Sequence, residues 1–394
     1  MTMARYDCVV VGGGPSGATA ATELAAGGRS VLLLDRAGRT KPCGGAIPPR
    51  LIADFAIPDH LIVGRAVAAR MIAPSDMAVD MPVGDGFVGM VDRDVFDEWL
   101  RARAASAGAE RRIGTFDRLE RDADGGAVVI YTDARGGPEH RISARCVIGA
   151  DGAGSRVARA ALAGAERMPC VFAYHEVIRS PAITDAAFDR GRCDVFYQAS
   201  LSPDFYAWIF PHGDTASVGV GSASKGFALR DAVSRLRLRE GLDGCETIRR
   251  EGAPIPLRPL RRWDNGRDVI VTGDAAGVVA PASGEGIYYA MVAGRDTARA
   301  VSAFLVSGNP RALRMARRTF MRAHGRVFWI LGLMQYFWYR NDRRRERFVT
   351  MCEDRDVQNL IWPAYMNKRL VYARPLAYLR IFLKDMRHLL QTAA

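Results

Sequence analysis

The apolar and polar positions of the first 48 residues change from a strand pattern to a helix pattern and back again. Cys8–Val11 is an unbroken apolar run, which is typical of a parallel strand buried on both faces. The segment from about Ser16 to Ala26 is predicted to be a helix that ends at Gly27-Gly28, and Ser30–Leu34 is predicted to be a second strand. Residues 1–48 therefore read as a βαβ unit.

A similar pattern returns after an insertion. Residues from about 49 to 87 fall into short pieces interrupted by proline. Beyond them the predicted helices are Arg93–Ala105 and Gly286–Arg299, and the predicted strands are Ala127–Tyr131, Arg141–Ile148 and Asp268–Thr272. Residues 1–48, 88–160 and 266–310 are assigned to one discontinuous domain.

The middle of the chain alternates as antiparallel strands do. The predicted strands are Cys193–Gln198, Phe205–Pro211 and Ala216–Gly221. His212-Gly213-Asp214 is predicted to form a hairpin turn, so the His212 side chain is expected to be exposed. Residues 49–87 and 161–265 are assigned to a second domain, and residues 311–394 to a helical C-terminal region.

The net positive charge of the chain comes from that C-terminal region. Residues 1–308 hold 37 basic and 37 acidic side chains, whereas residues 309–394 hold 18 basic and 6 acidic ones, which accounts for the net charge of +12. The aromatic run from Phe328 to Tyr339 lies beside Arg340 and Arg343-Arg344-Arg345. This combination suits either a helix in a membrane interface or a helical subdomain that packs the run inward. Nucleic acid is disfavoured, because no nucleic-acid-binding motif accompanies the arginines.

Composition excludes several other classes. Hydrophobic content of 49% and charged content of 25% are typical of a soluble globular protein. The seven cysteines include no CxxC pair, which argues against a disulfide framework and against a metal site. No apolar run approaches the ~20 residues of a membrane span, and the first strand leaves no room for a signal peptide. The expected location is the cytoplasm, with peripheral contact to a membrane through the C-terminal region.

The turn after the first strand carries the strongest chemical signal. Gly12 permits a tight turn, Gly14 lets the backbone approach a pyrophosphate, and Gly17 lets the helix pack against the strand. Asp35, 23 positions after Gly12, is placed to accept hydrogen bonds from a ribose diol. A glycine-rich turn without a ligand is the alternative, but the strand, helix and acidic residue all agree with a nucleotide site.

Two later strands also run into glycine and aspartate. Cys146–Ala150 leads into Asp151-Gly152, and Val269–Thr272 leads into Gly273-Asp274. The turn Pro281–Ile287 is rich in glycine and precedes a helix, so its N–H groups are able to reach a flavin or a phosphate. Together with the turn at Gly12–Gly17, the stretches that end at Asp151-Gly152 and Gly273-Asp274 indicate one FAD site.

This three-part site resembles that of the flavoprotein fold shared by aromatic hydroxylases, flavin halogenases and geranylgeranyl reductases. Within that fold, Pro42-Cys43-Gly44-Gly45 resembles the PCGG loop of the geranylgeranyl reductase family, and Tyr206–Pro211 with Gly219-Val220-Gly221 is similar to its second signature. The run from Ile72 to Arg93 resembles the photosynthetic branch. The implied fold class is α/β (α+β overall), a Rossmann-type FAD-binding domain with an inserted antiparallel β-rich substrate domain and C-terminal helices.

The resemblance implies an FAD-dependent reductase that saturates C=C bonds of a geranylgeranyl chain to give phytyl. The substrate would be geranylgeranyl-(bacterio)chlorophyll or free geranylgeranyl diphosphate. NADPH is the expected electron donor, although the chain has no separate dinucleotide-binding motif for it. Reduced ferredoxin is the alternative donor and would then be a partner. The implied cofactor contacts are Gly12, Gly14, Pro15, Ser16, Gly17, Asp35, Arg36, Cys43, Gly44, Gly45, Ala46, Arg93, Asp151, Gly152, Asp274, Gly284, Gly286 and Ile287.

Reduction of an isolated alkene requires a hydride on one carbon and a proton on the other, in an apolar channel. Cys43 is the candidate proton donor, with a small buried apolar residue as the alternative reading, and Glu285 is a weaker donor candidate. Tyr206, Trp208 and Phe210 are the candidate channel walls, and Asp151 is expected to brace the cofactor domain.

Three other functions remain open at this level. An FAD monooxygenase of an aromatic or polyketide substrate would share the fold, but the PCGG loop disfavours it. A non-catalytic, flavin-bound prenyl carrier would share the site without turnover. An archaeal-type isoprenoid lipid reductase would share the PCGG loop, and the run from Ile72 to Arg93 disfavours it.

Overall fold

The computed structural model describes residues 4–36, 41–84, 86–134, 136–182 and 188–368. Contacts divide the chain into two compact units. Of the described residues, the first unit combines those up to Lys41 with Arg93–Cys170 and Pro254–Gly332. The second combines the described residues of Pro42–Asp92 and Val171–Ala253 with those from Leu333 to Lys368.

The strands are numbered in chain order. They are β1 Arg5–Val11, β2 Val31–Asp35, β3 Ala46–Ile47, β4 Gly64–Ala66, β5 Ala68–Ile72, β6 Ala78–Pro82, β7 Val88–Met90, β8 Glu110–Ile113, β9 Thr115–Arg121, β10 Ala127–Thr132, β11 Glu139–Gly149, β12 Cys170–Arg179, β13 Arg192–Phe196, β14 Ala207–His212, β15 Thr215–Ser222, β16 Thr247–Pro256 and β17 Val269–Val271.

The helices are numbered in the same way. They are α1 Pro15–Ala26, α2 Pro49–Phe55, α3 Arg93–Ser106, α4 Arg156–Ala161, α5 Leu229–Arg239, α6 Ile287–Ser307, α7 Arg314–Trp338, α8 Asp342–Met351 and α9 Trp362–Asn367. Each helix predicted from the sequence is present, and α6 runs further than predicted, to Ser307.

The first unit is built on a sheet of seven strands in the order β8-β2-β1-β11-β10-β9, with β17 paired to β11. Strand β1 lies between β2 and β11 and is parallel to both. Cys8, Val9 and Val10 have no exposed surface, which explains why this strand has no polar alternation. The predicted βαβ unit is confirmed.

Helix α1 packs closely against α6 in this unit. A Cβ atom at Gly294 of α6 would lie 2.3 Å from the carbonyl oxygen of Ser16 in α1, so the two backbones touch where the side chain is missing. This contact fixes the N-terminal end of α1 at the end of β1. It therefore determines where the first-turn N–H groups of α1 point.

The second unit contains a seven-stranded sheet in the order β16-β12-β15-β14-β13-β5-β6 and a small sheet in the order β3-β7-β4. Ile209 of β14 and Val218 and Val220 of β15 are buried in a core that includes Val233 and Leu236 of α5. Side chains alternate across a strand, so Trp208 and Phe210 lie on the other face. The predicted hairpin of β14 and β15 is confirmed.

The described C-terminal residues are helical and contribute to both units. The division between the units falls within α7, after Gly332. In the second unit, the buried Arg345 of α8 donates to the carbonyl oxygens of Ser202 (2.6 Å) and Tyr339. Trp362 of α9 donates to the carbonyl of Pro82. Residues 369–394 of the predicted basic region lie outside the described residues.

Candidate cofactor and substrate sites

The turn between β1 and α1 uses its glycines for different purposes. Gly12 has φ +105°, and a Cβ there would lie 2.4 Å from the Ala150 carbonyl oxygen. A Cβ at Gly17 would lie 1.9 Å from the Gly12 carbonyl oxygen. Both positions therefore require glycine for the fold itself.

Gly14 differs, because a Cβ there would meet nothing within 4 Å. Its backbone is extended (φ −72°, ψ −177°), so any residue could adopt it. Gly14 is also the N-cap of α1, and no side chain caps the N–H groups of the first turn. Uncapped N–H groups beside an open space form an anion site. The turn therefore fits the pyrophosphate of a dinucleotide such as FAD.

Asp35 at the end of β2 is held beside this turn. Arg101 of α3 donates to the Asp35 carboxylate over 3.2 Å and reaches the Gly13 carbonyl at 3.5 Å. A Cβ at Gly13 would lie 2.6 Å from the Asp35 carboxylate, so the acid and the glycine turn are in direct contact. Arg101 thus orients Asp35, the residue predicted to bind the ribose. Sequence reasoning missed this role of Arg101. Arg36, the next residue, is exposed.

Ser16 and Arg93, two of the predicted cofactor contacts, have side chains that already bond to other residues of the protein. The Ser16 hydroxyl is buried and bonds the Thr272 hydroxyl over 2.9 Å, so Ser16 would meet a phosphate through its backbone N–H. Arg93 is 4% exposed and donates two hydrogen bonds, of 2.9 and 2.7 Å, to the Asp97 carboxylate. Its charge is thereby neutralised within α3. Pro15 opens α1 at a position where a missing N–H costs nothing.

Asp151 supports the fold of the first unit. Its carboxylate accepts hydrogen bonds from the Ser155 hydroxyl (2.5 Å) and from the Arg156 N–H (2.6 Å) at the start of α4. Gly152, at φ +85°, makes the turn that brings the carboxylate there. Asp151 therefore caps a helix, in agreement with the bracing role expected from the sequence.

The third stretch places Asp274 in a short 3₁₀ turn after β17, where its carboxylate pairs with Lys41. Asp274 is 8% exposed, and Lys41 neutralises it. Gly284 has φ +65°, and Gly286 caps α6, whose first residue is Ile287. This region of the first unit offers a second helix N-terminus with N–H donors.

In the second unit, the PCGG loop leads into β3, which begins at Ala46. Cys43 is half-buried and is a free thiol, and its sulfur accepts a contact of 3.4 Å from the Gly45 N–H. A Cβ at Gly44 would lie 3.0 Å from the Phe210 ring and 3.6 Å from the Trp208 indole nitrogen. The missing side chain lets the loop lie directly against these aromatic rings.

Phe210 and Trp208 belong to a row of aromatic rings. Neighbouring centroids are 6.1 Å apart for Phe210 and Trp208, 6.0 Å for Trp208 and Tyr206, and 6.1 Å for Tyr206 and Tyr197. Every second residue from 206 to 210 faces the same side, because side chains alternate along an extended strand. The candidate channel walls are therefore brought together on one face.

The strand beside this row is shaped to receive it. A Cβ at Gly219 would lie 2.2 Å from the Trp208 ring, and a Cβ at Gly221 would lie 2.6 Å from the Phe205 ring. The Trp208 indole N–H donates to the Ser217 hydroxyl over 3.1 Å, and that hydroxyl also bonds His175 over 3.0 Å. Gly219 and Gly221 of the second signature thus leave room for the rings of Trp208 and Phe205. Ser217 fixes the orientation of Trp208.

The prediction that His212 is exposed is wrong. The turn consists of Gly213 and Asp214 alone, and His212 is the last residue of β14, with a side chain that is 8% exposed. Its Nε2 lies 2.9 Å from the Gly44 carbonyl oxygen. The period-two pattern that runs through Tyr206, Trp208 and Phe210 also reaches position 212, and this signal could have placed His212 beside the loop.

No described helix has both the length and the apolar character that crossing a membrane requires. Within the same residues, no group of three or more histidine, cysteine, aspartate or glutamate side chains is arranged to hold a metal ion.

The fold and the cradle around Gly14 define a flavin-dependent oxidoreductase. Residues 6–180 match the family model described as pyridine nucleotide-disulphide oxidoreductase. The structure is similar to the crystal structure of a geranylgeranyl bacteriochlorophyll reductase-like protein from Thermoplasma acidophilum, with a TM-score of 0.81, 23% identity and 96% of each chain covered. That likeness confirms the predicted fold class.

Similarity in sequence shows to which family of flavin-dependent oxidoreductases the chain belongs. The chain is 56% identical to the geranylgeranyl diphosphate reductase of Rhodobacter capsulatus, over 98% of this chain and 97% of that protein. It is 36% identical to the geranylgeranyl diphosphate reductase of a Synechocystis species, over 97% of each chain. The chain belongs to the geranylgeranyl diphosphate reductase family.

Proposed function

We propose that this protein reduces the isolated C=C bonds of a geranylgeranyl chain, carried as a (bacterio)chlorophyll ester or as the free diphosphate, to give phytyl. One observation supports this proposal most: the row of rings formed by Tyr206, Trp208 and Phe210 lies against the PCGG loop. An apolar, aromatic-lined surface suits a long hydrocarbon chain without polar groups. The product class is one used in (bacterio)chlorophyll biosynthesis.

FAD held at the Gly14 cradle, with Asp35 at its ribose, would supply a hydride. Each double bond also takes up one proton, which Cys43 is proposed to deliver. Positive charge in the transition state would develop at the more substituted carbon of the alkene. Aromatic ring faces stabilise such charge in a water-poor site, which gives Trp208 a role beyond that of an apolar wall.

NADPH is the proposed electron donor. The GxGxxG turn at Gly12–Gly17 lies between a strand and a helix and is assigned to FAD, whereas the same pattern at Gly84–Gly89 runs into β7 and opens no helix. NADPH would therefore bind only transiently, deliver its hydride and leave as NADP⁺. Reduced ferredoxin is the other donor compatible with the basic C-terminal region. Anaerobic reduction of the bound flavin by NADPH or by reduced ferredoxin, each used in place of dithionite, distinguishes the two donors.

The proposed reaction predicts an anaerobic result. After reduction with dithionite, the holoenzyme is mixed with geranylgeranyl-bacteriochlorophyll or geranylgeranyl diphosphate in detergent. We expect the flavin absorption to return as product masses rise in steps of two hydrogens, and the faster substrate identifies the natural one. If the flavin reoxidises only when oxygen is admitted, and an oxygenated product forms, the monooxygenase alternative is favoured. If neither substrate nor oxygen gives product, the carrier function is favoured.

We further propose that α7 docks on an anionic membrane surface, where a prenylated pigment would reside. Trp329, Leu333 and Tyr336 are 69%, 41% and 66% exposed and follow one another at helical spacings of four and three residues. Exposed arginines continue this stripe on both sides, at Arg326 and Arg340. Tryptophan and tyrosine between arginines suit the interface between lipid headgroups and acyl chains.

Replacing Trp329 and Tyr336 together by alanine is expected to weaken binding to anionic vesicles at least about tenfold. Burying one large apolar side chain is worth roughly 1.5–3 kcal/mol, and about 1.4 kcal/mol corresponds to tenfold in affinity. Vesicle co-sedimentation at low and high salt measures the effect, and binding should also weaken with salt because the arginine contribution is screened. Val306→Ala, at an apolar residue of α6 that is 74% exposed, is the control. Equal binding of all three proteins contradicts this docking mode.

A further inference from the structure

His212 lies between the PCGG loop and a carboxylate. Its Nε2 is 2.9 Å from the Gly44 carbonyl oxygen, and its Nδ1 is 3.7 Å from the carboxylate of Asp92, which follows β7. A carbonyl oxygen only accepts hydrogen bonds, so Nε2 must carry a proton. The ring therefore donates from Nε2 to the loop and has its Nδ1 facing the Asp92 carboxylate.

The loop is shaped around this ring. Gly45 has φ +69°, and a Cβ there would lie 2.4 Å from the His212 Cε1 atom and 2.5 Å from the Val91 carbonyl oxygen. The Gly45 carbonyl in turn accepts a hydrogen bond of 2.9 Å from the Val91 N–H, one residue before Asp92. Gly44 and Gly45 are thus both fixed to the segment that carries the carboxylate, one through His212 and one through the backbone.

We propose that His212 is a positioning residue, which clamps the PCGG loop by donating a hydrogen bond to the Gly44 carbonyl and so fixes the Cys43 sulfur against the Gly45 N–H. This deepens the proposed function, since it names a residue that sets the geometry of the proposed proton donor. The clamp acts through the loop and does not itself touch substrate. Asp92, on the other side of the ring, is the partner that makes the clamp sensitive to acid pH.

The direction of the pH dependence follows from the charges around His212. The imidazole beside Asp92 holds the pKa of that carboxyl below its ordinary value, so the attraction is present above that ordinary value and is lost as pH falls through the lowered one. Arg249 on β16 also acts on Asp92, and Asp214 of the turn pairs with Arg190. The clamp is therefore expected to weaken at acid pH.

Three variants separate the hydrogen bond from packing. His212→Leu removes the donor and keeps a side chain in the same place, His212→Gln keeps an N–H donor, and Asp92→Asn removes the carboxylate. We expect the single-turnover rate of His212→Leu to fall about tenfold, as is ordinary for the loss of a hydrogen bond. His212→Gln should retain most of the wild-type rate. Asp92→Asn should lose the decline at acid pH.

A second measurement works without turnover. Iodoacetamide modification of Cys43 in the holoenzyme is followed by peptide mass spectrometry, relative to the half-buried Cys245. Release of the loop should raise the Cys43 rate in His212→Leu and leave His212→Gln like the wild type. Identical Cys43 rates in the wild type and His212→Leu, or no modification in either, overturn the clamp. The modification result stands even if no prenyl substrate reoxidises the flavin, so failure of the clamp and failure of the proposed function are distinguishable.

Discussion

Replacing Gly14 by valine is expected to abolish FAD binding and leave the fold in place. The space that the valine side chain would occupy is open, and it lies in front of the N–H groups at the start of α1. Each charge-assisted hydrogen bond from these groups to a phosphate is worth roughly 1.5–3 kcal/mol. Losing two or more of them lowers affinity at least about a hundredfold. The purified variant should therefore be colourless, with no flavin absorption bands.

The backbone at Gly14 makes this substitution a test of binding. Its extended conformation accepts valine, and loss of a glycine N-cap costs at most about 1–2 kcal/mol. Circular dichroism should match that of the flavin-free wild type, whose thermal stability is the proper reference because bound ligand stabilises the folded state. Gly244→Val is the matched control, since a Cβ there also meets open space, and it should remain yellow. A flavin-loaded Gly14→Val protein would remove the assignment of this turn to the pyrophosphate.

The glycine turn illustrates how far sequence reasoning reached. The pattern of strand, glycines, helix and acidic residue was sufficient to predict the βαβ unit and the candidate cradle. It assigned a purpose to each glycine from the general form of the motif. The structure adds that Gly12 and Gly17 are required by contacts of 2.4 and 1.9 Å within the protein, whereas Gly14 faces open space. Only the three-dimensional contacts separate a glycine needed for folding from one needed for a ligand.

Long-range contacts explain what was missed. Arg101 reaches Asp35, at the end of β2, from α3, 66 positions later in the chain. Nothing in the sequence around Arg101 indicates this contact. Strand β9 was not predicted because its sequence is rich in charge, yet Arg118 within it pairs with Glu139 on β11 (2.6 Å). Charged residues are compatible with a strand when they pair across the sheet. Both misses come from partners that are distant in sequence.

The same limit applies to the second unit. Alternation along β14 places Trp208 and Phe210 on one face, because a period of two follows directly from strand geometry, and their role as channel walls stays a prediction. The prediction for His212 gave priority to the turn residues Gly213 and Asp214, and it was wrong because the strand continues to the residue before them. What turns this strand end into part of a candidate site is the Gly44 carbonyl, 168 positions earlier in the chain.

Cys43→Ala is expected to retain FAD and to slow prenyl reduction by about 10²–10⁴-fold, the usual contribution of a positioned general acid. The thiol is half-buried, and its sulfur is held by the Gly45 N–H at 3.4 Å in a loop that lies against Phe210. Alanine removes the sulfur and leaves the backbone turn intact. Because three double bonds must be reduced in succession, partially reduced chains should accumulate in the variant. Mass spectrometry of the products after anaerobic single turnovers and multiple turnovers measures both effects.

Cys245→Ala provides the control, since Cys245 is also a half-buried free thiol of the second unit, packed against the core around α5 rather than the aromatic row. It should have the wild-type rate and product distribution. The rate of the wild type should fall in D₂O if proton delivery limits reduction, and this solvent effect should change in Cys43→Ala. A packing role predicts the opposite pattern, because the loss of one small buried atom leaves the chemistry unaltered. Wild-type kinetics and fully reduced product from Cys43→Ala would therefore assign proton delivery to another group, with Glu285 the next to replace.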